Sequence, residues 1–443
     1  MPAQNDVTGV LDLCLRIGEM LLSNGAGAAD VTFAMDSVAR HYGLRNAEID
    51  VTFTSLSMSY QPAEGEPAHT MIRQVKQRGI DYEDLTRVDH LIARILAGKE
   101  SLRSARASIL TLFSTGHHRR RWAVTSGWGV MAAGVALMLG GGAWVVGSAL
   151  VTAMVIDRTQ ALLTRRRLPT FYQQAAGGAI ATVGAVVVAL FGVDGIDPSL
   201  VVTANIVMLL AGIGFMGALQ DALSGFYVTA GARLLEVMLS TAGIIVGVSG
   251  GLAAAGVLGV DIGRMDPSPP GLVELALLGV GAGVAAAGFA YASYARVVVL
   301  LPVALVAAGA TGLSRVVEEL GFGRLWPVGL AAVGVGVVGY AVARRVHVPP
   351  LVVVVSAVVP LLPGLTIYRG LSLLGEGGVE ASTQGIVAMV TAASIALALA
   401  AGVILGEYIA QPLAREARRL ERRLSGPRLV GPLRSRPVRH PDS

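Results

Sequence analysis

From Trp122 to about residue 410 the sequence is a series of apolar runs, each about twenty residues long, separated by short polar or charged connections. A helix rises about 1.5 Å per residue, so a run of that length crosses a hydrocarbon core of about 30 Å. In lipid every backbone N–H and C=O must be bonded within the spanning structure, which leaves helices and closed barrels. The runs are continuously apolar rather than alternating, so they read as helices. They fall near 122–140, 143–163, 171–191, 201–218, 231–256, 272–291, 296–313, 325–343, 348–368 and 383–406. The expected fold is a polytopic α-helical membrane protein of about ten transmembrane helices, preceded by a small N-terminal cytoplasmic α/β domain.

Composition separates those two parts. Only 15% of residues are charged, against about 25% in soluble domains, and the deficit lies beyond residue 121. The 56 glycines read as packing residues, because small side chains let helices approach closely in lipid. The single cysteine, Cys14, excludes an internal disulfide and reads as a small core residue of an amphipathic helix. Residues 1–30 have no basic start, so a cleavable signal peptide is not expected. The net charge of +5 comes from bases beside the spans, among them Arg119–Arg121, Arg165–Arg167 and Arg344-Arg345. These read as topology determinants and lipid-headgroup contacts, not as a nucleic-acid surface. One set of connections carries Arg165–Arg167, Arg233, Arg296, Arg344-Arg345 and the basic tail. The positive-inside rule puts that set, and both termini, in the cytoplasm of a bacterial cell, with the chain multi-pass in the inner membrane.

The N-terminal stretch alternates between helical and strand patterns. Residues 7–24 and 28–42 repeat apolar positions at helical spacing, broken at Gly25-Ala26-Gly27 and closed by Gly43. Residues 49–60 read as a strand and 69–75 as its partner; 81–96 and 101–112 read as further helices. Asp81, Glu83 and Asp84 form an acidic first turn, favourable with the helix dipole. No P-loop, GxGxxG or CxxC is present, and His41, His69 and His90 are scattered. No catalytic residues, cofactor or metal site is expected.

Residues 203–225 and 355–377 align without gaps at a shift of 152, which sets Ala211-Gly212 on Pro363-Gly364 and Gly225 on Gly377. The same shift carries the start of the first run to that of the sixth. Two units of five spans enter the membrane from opposite sides, which is an inverted repeat of the kind secondary transporters use. The expected divisions are 1–118 for the cytoplasmic domain, 119–268 and 269–410 for the repeats, and 411–443 for a basic, disordered cytoplasmic tail. Helices interrupted at corresponding positions point to a substrate site, so Gly212, Pro363 and Gly364 are candidates. Among ionisable residues, which are costly near lipid, Asp221 and Arg233 bracket the connection after the fourth span. They could form a gate pair or hold the two charges of a zwitterion. Asp157 reads as an interfacial pair with Arg158, and Glu274 and Glu407 as residues at span ends. Thr203 and Asn205 offer uncharged hydrogen bonds, while Tyr368 and Arg369 follow the second break, with Arg369 at an outer mouth.

Residues 18–44, GEMLLSNGAGAADVTFAMDSVARHYGL, resemble the opening of the threonine/serine exporter family. Asp221, Ser224-Gly225, Gly231 and Arg233 resemble its D…SG…G..R pattern, and Pro363-Gly364 with Tyr368-Arg369-Gly370 its PG…YRG pattern. The family often has Pro-Gly in the fourth span where this chain has Ala211-Gly212, so a milder break is expected there. The resemblance implies a soluble domain joined to ten spans and secondary-active export of L-threonine and L-serine, driven by the proton motive force. The implied partners are the amino acid, protons, membrane lipid and, in a homo-oligomer, further copies of the chain. Two other readings stand beside it: a dicarboxylate exporter, favoured by convergent Arg233 and Arg369, and a membrane-anchored enzyme or sensor acting through the N-terminal domain, which relatives' hydrolase-like label would suit.

Overall fold

The computed structural model describes residues 4–76, 79–116, 119–191, 198–209, 212–260, 272–323, 325–376 and 378–424. The first part is an α/β unit: α1 (Gln4–Ser23), α2 (Ala28–His41), strands β1 (Glu48–Val51), β2 (Ser55–Tyr60) and β3 (His69–Gln74), then α3 (Tyr82–Leu96) and α4 (Leu102–Ser114). Residues 49–60 are not one strand. Thr52 N–H donates to the Ser55 carbonyl at 2.9 Å, folding them into an antiparallel β1–β2 hairpin, with β3 along the other edge of β2. Leu11, Leu13, Cys14 and Ile17 of α1 are fully buried where that helix meets α2, α3, α4 and the sheet. Burial also pushes the Cys14 thiol pKa up, as expected of a core residue. The acidic first turn of α3 is capped by Asp81, whose Oδ1 accepts from Glu83 and Asp84 N–H at 3.0 Å.

The remaining helices form the bundle: α5 (Arg121–Met138), α6 (Ala143–Arg165), α7 (Thr170–Leu190), α8 (Ser199–Leu209), α9 (Gly212–Leu223), α10 (Tyr227–Val257), α11 (Leu272–Ala292), α12 (Val297–Glu319), α13 (Leu325–Val346), α14 (Pro350–Val358), a 3-10 turn (Val359–Leu361), α15 (Gly364–Glu376) and α16 (Val379–Leu424). Among the described residues seven helices are long and apolar enough to cross a membrane, and eight if α8 and α9 are one span bent by 42°. α5 falls short because Arg121, Trp122 and Trp128 dilute its apolar run, and α14 and α15 because the turn divides them. Large side chains such as Val183, Leu190, Leu301, Leu305 and Val390 are exposed on the outside of the bundle, as a surface solvated by lipid requires. The chain has the long apolar helices that a polytopic membrane protein requires. The tail expected to lose structure at 411 continues α16 as far as Leu424, since Ala, Leu, Glu and Arg in that stretch all favour helix. His117 and His118, the connections at 192–197 and 261–270 and the tail beyond 424 lie outside the described residues.

The helices pair in a pattern that recurs. α7 packs on α10 as α13 packs on α16; α5 on α6 as α11 on α12; α9 on α10 as α15 on α16; and α5 meets α11 directly. Glycines set these approaches. A Cβ at Gly247 would strike the Ala175 carbonyl of α7, one at Gly406 the Val333 carbonyl of α13, and one at Gly134 the Ala285 backbone of α11. The shift of 152 residues carries Gly212, the first residue of α9, onto Gly364, the first of α15, and Tyr227, the first of α10, onto Val379, the first of α16.

Candidate functional site

The two interrupted helices converge. A Cβ on Gly364 would strike the Val207 side chain of α8, so the second break lies directly against the helix that precedes the first. Leu362 leaves the 3-10 turn in an extended conformation, and the Pro363 carbonyl accepts from Ile367 N–H at 3.0 Å to start α15. Between the breaks lies a cavity of about 380 Å³, a size within the range of small-ligand sites. Val207, Leu209, Gly214 and Gly217 line it from the first break, and Val355, Val359 and Leu362 from the second. The N-terminal unit closes one end with Leu22–Gly25, Phe53, Gly79-Ile80 and Tyr82. The polar walls are Ser23, Asn24, Tyr82, Gln174, Gln220, Arg233 and Glu236.

Asp221 and Arg233 meet, in a setting the sequence does not disclose. Arg233 Nε lies 3.2 Å from Asp221 Oδ2, with Asp221 only 1% exposed. Asp221 Oδ1 accepts the N–H of Ala28 at 2.8 Å, which makes it the cap of α2 from 193 residues away. Arg233 Nη2 donates to the Ala26 carbonyl at 3.0 Å. The pair therefore clamps the Gly25-Ala26-Gly27 turn of the N-terminal unit. Its Nη1 would come 2.9 Å from a Cβ at Gly217, so the guanidinium occupies the space left by that glycine on the cavity wall. Replacing Gly217 by valine is expected to displace Arg233 and lower the melting temperature of the full-length protein in detergent, whereas an unchanged melting temperature would show that the guanidinium yields freely.

Further contacts dock the unit. Thr229 Oγ1 donates to the Val51 carbonyl at 3.0 Å, Tyr82 N–H to the Ser293 carbonyl at 2.9 Å, and His90 Nε2 lies 3.1 Å from the His347 carbonyl. Arg119 donates to the carbonyls of Tyr291 and Ala295. These bundle residues lie in or within a turn of the α9–α10, α11–α12 and α13–α14 connections.

The other sequence candidates lie apart from the cavity wall. Thr203 and Asn205 are fully buried in α8 and donate back to the carbonyls of Ser199 and Val201, at 2.9 and 2.8 Å. Gly212 opens α9, and Ala211 lies outside the described residues. The break near Gly212 bends the helix pair by 42° without a proline. Tyr368 is in α15, but its side chain lies outside the described residues, as does that of Glu274. Arg369 is half-buried in α15 and is not part of the cavity wall. Asp157 pairs not with Arg158 but with Arg121 at 2.8 Å, and accepts the Thr125 hydroxyl at 2.6 Å. Its direction on α6 faces α5, where the neighbour in sequence cannot reach.

A second cavity, about 550 Å³, separates the unit from α9, α16 and the α13–α14 connection. Asp30 and Asp89 face it from the unit, and Asp221 and Glu407 from the bundle. Among the described residues, no three are gathered closely enough to hold one metal ion. Asp30 and Asp89 keep much of their surface open to this cavity, yet the protein around them still desolvates both carboxyls: desolvation, then the Asp221 charge, holds Asp30 above the usual range, and desolvation does the same to Asp89, with His90 opposing it. A carboxyl raised in the folded state costs stability once ionised. Its contribution is complete below the ordinary value of about 3.9 and is lost as pH rises through the raised one. Asp30→Asn is therefore expected to flatten the fall in melting temperature of the full-length protein as pH rises from about 4 to 8; an unaltered slope would count against Asp30.

Sequence reasoning missed Asn24, Tyr82, Gln174, Gln220 and Glu236 as cavity residues. The two glutamines carried a readable signal, being amides inside otherwise apolar helices. Tyr82 carried none, because a tyrosine opening a soluble-domain helix gives no hint of a membrane cavity.

Two models of the threonine/serine exporter family match the chain, one over residues 12–255 and the other, described as "Threonine/Serine exporter, ThrE", over 279–409. A protein of Mycobacterium tuberculosis (strain ATCC 25618 / H37Rv) described as "Probable threonine/serine exporter" is 35% identical, the match covering 93% of this chain and 78% of the relative. A Corynebacterium glutamicum protein described as "Threonine/serine exporter" is 34% identical, covering 94% and 85%. No solved structure matches the chain.

Proposed function

The chain belongs to the threonine/serine exporter family, and from that premise we propose that it carries L-threonine and L-serine out of the cell, driven by the proton motive force. It is an amino-acid exporter rather than an enzyme. The observation that carries the site is the convergence of both interrupted helices on one cavity, with Arg233 on its wall. The α-carboxylate meets Arg233 Nη1, the donor of that guanidinium not spent on Asp221 or Ala26, and Glu236 with Gln220 receives the ammonium. Asn205, Gly212, Pro363, Gly364, Tyr368 and Arg369 shape the two breaks around it. Arg369 lies off the cavity wall, which among the described residues carries Arg233 as its one cationic group, an arrangement that favours a single carboxylate over two.

The architecture proposed is ten spans in two inverted repeats, 119–268 and 269–410, behind a cytoplasmic domain at 1–118. The recurring helix pairs and the coincidence of helix starts at a shift of 152 support it. In that topology the connections that dock the N-terminal unit all lie on the basic side, which supports an inner membrane location with both termini cytoplasmic. Lipid covers the apolar outside, and oligomerisation is compatible with it.

The test is efflux of labelled threonine and serine from proteoliposomes holding the full-length protein, with and without an imposed proton gradient. Gradient-dependent efflux of both is expected. Absence of flux for either amino acid would sink the substrate assignment, and equal flux with the gradient collapsed would sink the coupling.

A further inference from the structure

The N-terminal unit does more than cover the cavity, because it places a tyrosine in the wall whose hydroxyl is buried beneath the cavity surface. Asp81 fixes the start of α3 by capping it, and the next residue, Tyr82, is pinned to the bundle through its N–H on the Ser293 carbonyl. Its ring is 1% exposed and stands edge-on to Phe289 at 6.2 Å, which in turn stands edge-on to Trp128 at 5.8 Å. All three line the cavity between the breaks. The ring is well packed, but the hydroxyl is not well served. It is buried with no hydrogen bond of ordinary geometry. The hydroxyl it interacts with, that of Ser356 on α14, gives its own proton to the Val352 carbonyl at 2.7 Å. Burial also raises the phenol pKa, so the group is neutral and keeps a proton to donate. A buried hydroxyl without a good partner is a cost that phenylalanine would avoid in the same space. A ligand that brings its own hydroxyl removes that cost.

Threonine and serine differ from 2-aminobutyrate and alanine by one hydroxyl group. A site that hydrogen-bonds a substrate hydroxyl discriminates far more strongly against the analogue lacking it than an apolar pocket does against a change in size. We propose that Tyr82 Oη, with Ser356 Oγ behind it, hydrogen-bonds the side-chain hydroxyl of the transported amino acid. Tyr82 is then the specificity-determining residue of a site whose other groups belong to the bundle. This rests on the amino-acid export reading above and adds the group that selects among amino acids. It also gives the N-terminal unit a place in recognition, since the cavity without the unit lacks that hydroxyl.

The experiment compares wild type and Tyr82→Phe as full-length protein in proteoliposomes, using labelled threonine exchange with unlabelled threonine, serine, 2-aminobutyrate or alanine as competitor. The wild type is expected to prefer threonine over 2-aminobutyrate, and Tyr82→Phe to reduce that preference about ten-fold or more. Thermal stabilisation of the purified proteins by each amino acid gives the same ratio without depending on flux, so a slow but folded variant is still decisive. A tyrosine with a merely structural role would weaken threonine and 2-aminobutyrate alike, and an unchanged ratio overturns the proposal. A wild type that exchanges threonine without preferring it over 2-aminobutyrate overturns it too, while leaving export intact. A wild type that exchanges no amino acid removes the export reading itself, and this inference with it.

Discussion

Asp221→Ala is expected to release the N-terminal unit from the bundle and abolish efflux while leaving the protein inserted. The carboxylate serves two partners, capping α2 at Ala28 and neutralising Arg233. Its removal strands a largely buried guanidinium and an unpaired N–H. Breaking a buried pair by deleting one member costs about 3–5 kcal/mol. At about 1.4 kcal/mol per factor of ten, that shifts docking by roughly two to three and a half orders of magnitude. Arg233 also loses its hold on the Ala26 carbonyl, and the turn at 25–27 leaves the cavity wall with Asn24 and Tyr82. Asp221→Asn keeps an acceptor for Ala28 but not the charge, so it should fall between. Docking is read from the disulfide yield of a Val51→Cys, Thr229→Cys pair, positions joined by a hydrogen bond; the native Cys14 is buried and does not interfere. Efflux and cross-linking should fall together. Full efflux from the inserted alanine variant would take Asp221 out of the mechanism.

The second large effect concerns helix packing. A Cβ at Gly247 would overlap the Ala175 carbonyl, and at Gly406 the Val333 carbonyl. The obstacle in each case is backbone, which no rotamer change relieves. Overpacking a core costs about 1–3 kcal/mol where side chains can yield, and more is expected here because two helices must separate along their length. Gly247→Val and Gly406→Val should each prevent recovery of folded protein from mild detergent. Gly250→Ala is the control, for a Cβ there meets nothing within 4 Å. It should be neutral or stabilising by roughly 0.5–1 kcal/mol through helix propensity. Size-exclusion profiles and melting temperatures in detergent distinguish these outcomes. If Gly247→Val behaved like Gly250→Ala, close approach of α7 and α10 would not be what holds that pair.

Much of the architecture was legible because it is local. Apolar run length gives the helices, Gly25 and Gly43 end α1 and α2 at positive φ, and Asp81 announces its cap. A fixed shift is likewise a property of the string, and at 152 residues the starts of α9 and α10 fall on those of α15 and α16. Where local reading failed, a side chain's short-range options misled: Thr52 folded what read as one strand, and Asp157 chose Arg121 over its neighbour Arg158.

The sequence by itself determined which segments are helical, where two of them break, and that Asp221 and Arg233 are costly enough near lipid to need a purpose. Only the tertiary structure decided that purpose. The two residues turn toward the N-terminal unit, and Tyr82 of that unit packs into the wall of the cavity between the breaks. Hydropathy records how much of a residue is hidden, which is a one-body property. The chain segment that hides it is a pairwise property, set when a turn at residues 25–27 meets a helix about 200 positions away, and no period in the sequence encodes that meeting.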